Sequence, residues 1–254
     1  IRAALTTANA ATEKPTLIVG HTIMGKGLVT AEGESFEDKV CTHGQPISAA
    51  GASLEATIRN LGGNPEEPFK IFPEVAATFE ARANVLRQEM QERKAVETAW
   101  RQENPVLAHK MDCFFNGTLP DINYRTIGIK SGSATRAASS TVLGTYAEQV
   151  ENMIVASADL SNSDKTDGFL KKTHAFKRGD FSGSFFQAGV SEFTMACIMN
   201  GMALHGGVIP ACGTFFVFSD YMKPVIRLSA LMGLHVIFIW THDSFRVGED
   251  GPTH

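Results

Sequence analysis

Between residues 135 and 242 the chain alternates helical patterns with continuously apolar runs, and this order constrains the fold more than any other feature. "TRAASSTVLGTYAEQV", "SEFTMACIMNGMALHGG" and "SDYMKPVIRLSALMG" carry helical spacing, whereas "MIVASADL", "VIPACGTFFVF" and "HVIFIWTH" read as strands. The strand runs lack the apolar–polar alternation of a sheet with one wet face, so both of their faces are predicted to be covered. Such strands separated by helices predict an α/β fold, a parallel sheet with helices on both faces. Ligands in these sheets bind beyond the carboxyl ends of the strands. Asp159, Phe215 and His242 fall at three such ends.

The first half reads differently. "TLIVGHTI" (16–23) predicts a buried strand entered from a loop, and "MGKGLVTAEGESFEDKVCTHGQP" a long ordered loop of the kind that tends to carry function. "SLEATIRNLGG" has a capping Ser and a Gly stop, and so predicts a short helix. From Pro73 to about Asn104 the spacing of Val75, Phe79, Val85 and Leu86 predicts a long amphipathic helix, broken by "DCFFNGTLPDINY". This divides the chain into a partial first domain (1–52), a helical linker (53–124) and a second domain (125–254).

With 43% apolar residues, 20% charged residues and a net charge of −4, nothing in the composition attracts nucleic acid or an anionic membrane. "HVIFIWTH" is the longest apolar run and is too short to span a bilayer. Cys41, Cys113, Cys197 and Cys212 show no metal or disulfide spacing, which favours a reducing cytoplasm. The beginning at Ile1 is no signal peptide, and both ends read as cuts in a longer chain.

Several residues invite a chemical reading beside an ordinary one. "GHTIMGKG" imitates a phosphate-binding loop but continues with Gly27 and a non-helical stretch, so it is not one, although its glycines would let the backbone approach a ligand closely. His43 in "CTHGQP" alone is an ordinary loop histidine, and Asp159 alone is a helix cap after a strand. Glu192 opens an otherwise apolar helix, where the dipole favours the carboxylate and the surround raises its pKa; a capping acid is the alternative. Phe215, Phe218 and Tyr221, at spacings of three, serve either as core or as a platform for a flat ligand. "THDSFRVGEDGPTH" (241–254) holds more ionisable chemistry than a structural loop requires.

At "THDS" and "VGEDGPTH" the chain closely resembles the transketolases. "TIMGKG", "HGQP", "ATR", "SADL", "GVSEF", "CGTFFVF" and "RLSAL" support the resemblance in the family's order along the whole chain. It implies the end of a diphosphate-binding domain, the linker, and most of a pyrimidine-binding domain of the thiamine diphosphate-binding fold. The implied activity is transfer of a two-carbon ketol unit from a ketose phosphate to an aldose phosphate in the pentose phosphate pathway, through a thiamine diphosphate carbanion.

On this resemblance Glu192 protonates the aminopyrimidine, and Phe215, Phe218 and Tyr221 hold that ring. His43 and His254 line the reacting centre, Asp250 binds a substrate hydroxyl, and Asp159 lies near the cofactor. Arg136, Ser163 and His242 hold the sugar phosphate, and Met24 stands beside the thiazolium. The partners implied are sugar phosphates and a second subunit, in a homodimer whose active site lies between subunits. A Mg²⁺ or Ca²⁺ ion is implied, but its G-D-G motif is absent here, so no metal ligand is assigned. Ser191 and Phe193 beside Glu192, and Phe245 and Arg246 before "VGEDG", depart from the family pattern. The alternatives are a related ketol transferase of the dihydroxyacetone synthase type, or a non-catalytic half-subunit; "VGEDGPTH" and His43 argue against 1-deoxyxylulose-5-phosphate synthase.

Overall fold

Two units make up the chain, Ile1–Arg93 and Lys94–His254, and the computed structural model describes residues 1–243, 251, 253 and 254. The first unit contains α1 (Arg2–Ala10), a 3-10 turn at Val40–Thr42, α2 (Ile47–Ala50), α3 (Leu54–Asn60) and the start of α4 (Pro73–Glu103). Ser53 caps α3 as expected, its Oγ accepting from Ala56 N at 3.2 Å. The long loop is ordered by its own bonds: Phe36 N donates to Leu28 O, and Ser53 N to Val29 O. Leu28, Val29, Ala52 and Thr57 are buried beneath it.

Three expectations for this half change. Residues 16–23 form no strand, and Leu17, Ile18 and Val19 are exposed. An apolar β-rich run becomes a strand only when a neighbour takes its backbone bonds, and no described residue pairs with it. Helix α4 does form, but none of its residues is buried, so its apolar positions do not mark a core-facing stripe. It is held locally, by pairs such as Gln88–Glu92 and Arg101–Glu97 four residues apart. Two of the glycines of "GHTIMGKG" have their own chain as close neighbour: with φ of +65° and +84°, Gly25 and Gly27 leave room for Leu28 and Leu61, which a Cβ would approach to 2.8 and 2.5 Å, while Gly20 faces open space.

The second unit continues with α5 (Pro105–Phe115), a 3-10 turn at Tyr124–Thr126, α6 (Thr135–Gln149), β1 (Met153–Ser157), α7 (Ser161–Asp164), α8 (Asp167–Leu170), β2 (Phe185–Gln187), α9 (Glu192–His205), β3 (Ile209–Phe215), a 3-10 turn at Phe216–Phe218, α10 (Ser219–Leu231) and β4 (Ile237–Thr241). "DCFF" belongs to α5, and the break comes after it at Asn116–Gly117. The strands pair in parallel in the order β2-β1-β3-β4. Sequence reading misses β2, whose three residues are too few to show a pattern.

Both sheet faces are covered, as the continuous apolar runs require. Ala156, Ala158 and Cys212 pack with Met195, Met199, Met222 and Val225 of α9 and α10. Met153, Val155 and Ala211 pack on the other face with Leu143 of α6, Phe169 of α8 and Phe185. Each large side chain so buried contributes about 1.5–3 kcal/mol. Gly213 of β3 lets the α7–α8 segment lie flat on the sheet, because a Cβ there would sit 2.5 Å from Thr166 Cγ2. Gly213→Ala is therefore expected to cost about 1–3 kcal/mol by overpacking. A thermal unfolding midpoint unchanged from the parent would contradict this packing.

Candidate active site at the strand ends

Three strands end side by side. β1 stops at Ser157 and the chain turns through Asp159; β3 stops at Phe215; β4 stops at Thr241 and the chain turns through His242. Asp159 and His242 have φ of 64° and 57°. Left-handed backbone at a non-glycine residue costs on the order of 1–3 kcal/mol and gathers at functional sites. Asp159 is exposed and caps no helix: Leu160 is the N-cap of α7, and it makes no side-chain cap bond.

The sequence run "VIPACGTFFVF" is strand only to Phe215, and the 3-10 turn that follows has a chemical consequence. It swings Phe218 over Phe215, with ring centroids 5.8 Å apart and planes within 12°, and Tyr221 continues the stack 6.1 Å further on. His254 stands edge-on to Phe218, 5.4 Å between centroids. Phe218, Tyr221 and His254 line a cavity of about 470 Å³ together with Ala158, Leu160, Val190 and Glu192. Glu192, in the first turn of α9, is 8% exposed. No described residue gives its carboxylate a hydrogen bond or ion pair. A stacked aromatic wall beside a nearly buried carboxylate with no partner among the described residues suits a flat heteroaromatic ring whose protonated nitrogen can donate a hydrogen bond to that carboxylate.

At the cavity's side the three residues assigned to phosphate come together. Arg136, on the first turn of α6, donates from Nη1 to the Ser163 carbonyl at 3.3 Å and to His242 Nε2 at 2.7 Å. A guanidinium is always a donor, so Nε2 accepts and the imidazole proton sits on Nδ1, which donates to Thr241 Oγ1 at 2.9 Å. The His242 ring lies on Phe215, 3.7 Å between centroids. The arrangement fixes one face of Arg136 and aims a permanent cation at the strand ends.

Beneath this cluster lies a buried carboxylate that sequence reading misses. Asp164 Oδ2 accepts from Ser157 Oγ at 2.7 Å, and Oδ1 accepts from Thr166 N at 2.9 Å and from Thr166 Oγ1 at 2.7 Å. Burial pushes its pKa up, while the hydrogen bonds from Ser157 and Thr166 pull it back. Cys212 next to it is no nucleophile: burial, with Asp164 adding to the effect, pushes the thiol up to about 12. Alkylation at neutral pH is expected to label Cys212 only after denaturation. Rapid labelling in the native state would contradict its burial.

Met24 and His43 belong to the first unit, on neighbouring segments of one loop. Met24 N donates to Asp38 Oδ1, and Asp38 N to Met24 O; His43 is exposed just past the 3-10 turn. Gly27 N donates to Glu37 Oε1 at 2.8 Å, which with Lys26 holds that carboxyl below its usual pKa. Asp250 and Arg246 lie outside the described residues. Among the described residues no group of three His, Cys, Asp or Glu could hold a metal ion, and no helix is long and apolar enough to cross a membrane.

A parallel sheet with helices on both faces makes the second unit an α/β fold, and the solved structures it resembles make that fold the thiamine diphosphate-binding one. Residues 1–120 match the family described as transketolase, thiamine diphosphate binding domain, and residues 131–254 the transketolase, pyrimidine binding domain. The chain belongs to the transketolase family. It is 39% identical over 258 residues to the transketolase of Bacillus subtilis, covering 100% of this chain and 37% of that protein. Against the Halalkalibacterium halodurans transketolase the identity is 38% over 247 residues, with 96% and 36% covered. Among solved structures, a Pichia stipitis transketolase in complex with sedoheptulose-7-phosphate superposes with TM-score 0.79 at 32% identity, covering 99% of this chain and 37% of that one. A Leishmania mexicana transketolase superposes with TM-score 0.79 at 27% identity, covering 100% and 37%. The chain thus spans a little over a third of the length of the relatives it matches.

Proposed function

We propose that the protein carrying this chain is a transketolase, moving a two-carbon ketol unit from a ketose phosphate of the xylulose 5-phosphate type to an aldose phosphate. The observation that carries the proposal is the unpartnered Glu192 carboxylate sharing a cavity with Phe218, Tyr221 and His254. These residues fit the aminopyrimidine of thiamine diphosphate, a flat ring with a basic nitrogen. The cofactor, when bound, supplies the electron sink that lets the bond next to a ketone break.

The chain's own residues do the rest. Phe215, Phe218 and Tyr221 hold the ring by stacking, and Glu192, itself nearly buried at the start of α9, holds a proton at a ring nitrogen. His254 moves protons of substrate hydroxyls, and His43 does the same from the diphosphate-binding part. Arg136, with His242 and Ser163, binds the sugar phosphate, for which a fixed guanidinium is well suited. Asp250 binds a substrate hydroxyl, Asp159 lies near the cofactor, and Met24 packs against its second ring.

The domain reading is likewise part of the proposal: 1–52 the end of the diphosphate-binding domain, 53–124 the linker, and 125–254 the pyrimidine-binding domain. A homodimer places the pyrimidine-binding part of one subunit against the diphosphate-binding part of the other, in the cytoplasm, with Mg²⁺ or Ca²⁺ held by residues outside this chain. Ketol transfer by the full-length protein, followed with thiamine diphosphate and a divalent metal, tests the proposal. Glu192→Gln is expected to lower kcat by about 10²–10⁴-fold, the usual worth of a positioned proton carrier, with folding intact. Cofactor-dependent turnover equal to the parent's would sink the proposal.

A further inference from the structure

We propose that Asp164 is a positioning residue for sugar-phosphate recognition, acting through the backbone of the β1–α7 turn on Arg136; this rests on the phosphate role proposed for Arg136. The turn between Ser157 and Thr166 is closed by one side chain. Asp164 ties its carboxylate to the last residue of β1 through Ser157 Oγ and to the residue after Lys165 through both the backbone and the hydroxyl of Thr166. Ser157 Oγ in turn accepts from Leu160 N at 3.2 Å, so the start of the turn hangs on the same network. Asp164 and Thr166 are fully buried.

The neighbours show that this anchor serves the turn. Within it Asp159 and Lys165 are left-handed, at φ of 64° and 68°, a backbone that persists only where surrounding bonds over-determine it. The output is the Ser163 carbonyl, immediately before Asp164 in the chain, which accepts from Arg136 Nη1. Ser163 N and Asp164 N both donate to Leu160 O at 2.8 Å, so Ser163 cannot shift without Asp164. Arg136 is held at two points, the Ser163 carbonyl and His242 Nε2. Removing the Asp164 carboxylate frees the first and leaves the guanidinium hinged on the second.

A neutral isostere separates this role from a need for charge. In Asp164→Asn the amide oxygen keeps the Thr166 bonds, and Ser157 Oγ can accept from the amide instead of donating. Asp164→Ala loses every tie. In the full-length protein, Asp164→Ala is expected to raise KM for a phosphorylated ketose donor about tenfold with kcat within twofold, a loss of binding common to ground and transition states. KM for a ketol donor that lacks a phosphate stays unchanged, and Asp164→Asn restores parental KM.

Equal losses on both donors would show a merely structural role and overturn the inference, as would parental KM in Asp164→Ala. If Asp164→Ala does not fold, Asp164→Asn and Ser157→Ala decide: the first retains KM for the phosphorylated donor and the second raises it by a smaller factor. Equilibrium binding of a ketose phosphate supplies a readout apart from turnover. Weakened binding in Asp164→Ala, rescued in Asp164→Asn, in a protein without ketol transfer would sink the proposed function and leave the inference standing. No ketose phosphate binding by the parent overturns both.

Discussion

The parallel pairing of β1, β3 and β4 is the constraint from which the second unit follows. Val155 lies opposite Ala211 and Ala211 opposite Ile237, so the three strands run in register, β3 and β4 ending together at Phe215 and Thr241 and β1 two residues earlier at Ser157. Parallel strands need a crossover between each pair, and those crossovers, α9 after β1 and β2 and α10 after β3, cover one face while α6 and α8 cover the other. With both faces dry, water and ligands reach the sheet only at its ends. The carboxyl ends hold Asp159, the aromatic stack and His242, and the helix that opens beside them begins with Glu192.

Side chains of opposite character share that edge without interfering. Phe218 and Tyr221 of the aromatic stack and Glu192 line a pocket whose carboxylate, 8% exposed, has no partner among the described residues, a state that costs free energy until a hydrogen-bond donor arrives. Arg136 donates both to the Ser163 carbonyl and to His242, which hold its cation in one place. Asp164, fully buried one layer below, is satisfied by Ser157 and Thr166 and lends rigidity to the turn above. The proposed flat basic ring and the proposed phosphate would therefore meet different surfaces of the same edge.

Much of this was legible in the sequence, for identifiable reasons. Continuous apolar runs between helical patterns gave the parallel sheet and its two covered faces, because burial on both sides leaves a direct mark on composition. The capping Ser53 and the presence of a helix after Pro73 were read correctly for local reasons, though that helix buries no apolar stripe. What failed depended on partners distant in sequence. "TLIVGHTI" has strand composition but no neighbour to pair with among the described residues, and β2 has a neighbour but too little sequence to announce itself. Asp164 sits in "SNSDKT", which reads as a polar turn; only its fold onto Gly213 makes it a buried group. Spacing singled out Phe215, Phe218 and Tyr221 as either core or platform, while the turn that stacks them was hidden inside what looked like more strand.

The central claim is that the strand ends, through Glu192 and the Phe215–Phe218–Tyr221 stack, receive a flat nitrogenous ring. A structure of the full-length protein with thiamine diphosphate and its metal tests it most directly. The expected result is an aminopyrimidine ring against the aromatic stack with a ring nitrogen within hydrogen-bonding distance of the Glu192 carboxylate. A cofactor bound elsewhere, or a Glu192 carboxylate satisfied by a protein donor with the cavity closed, would contradict the account.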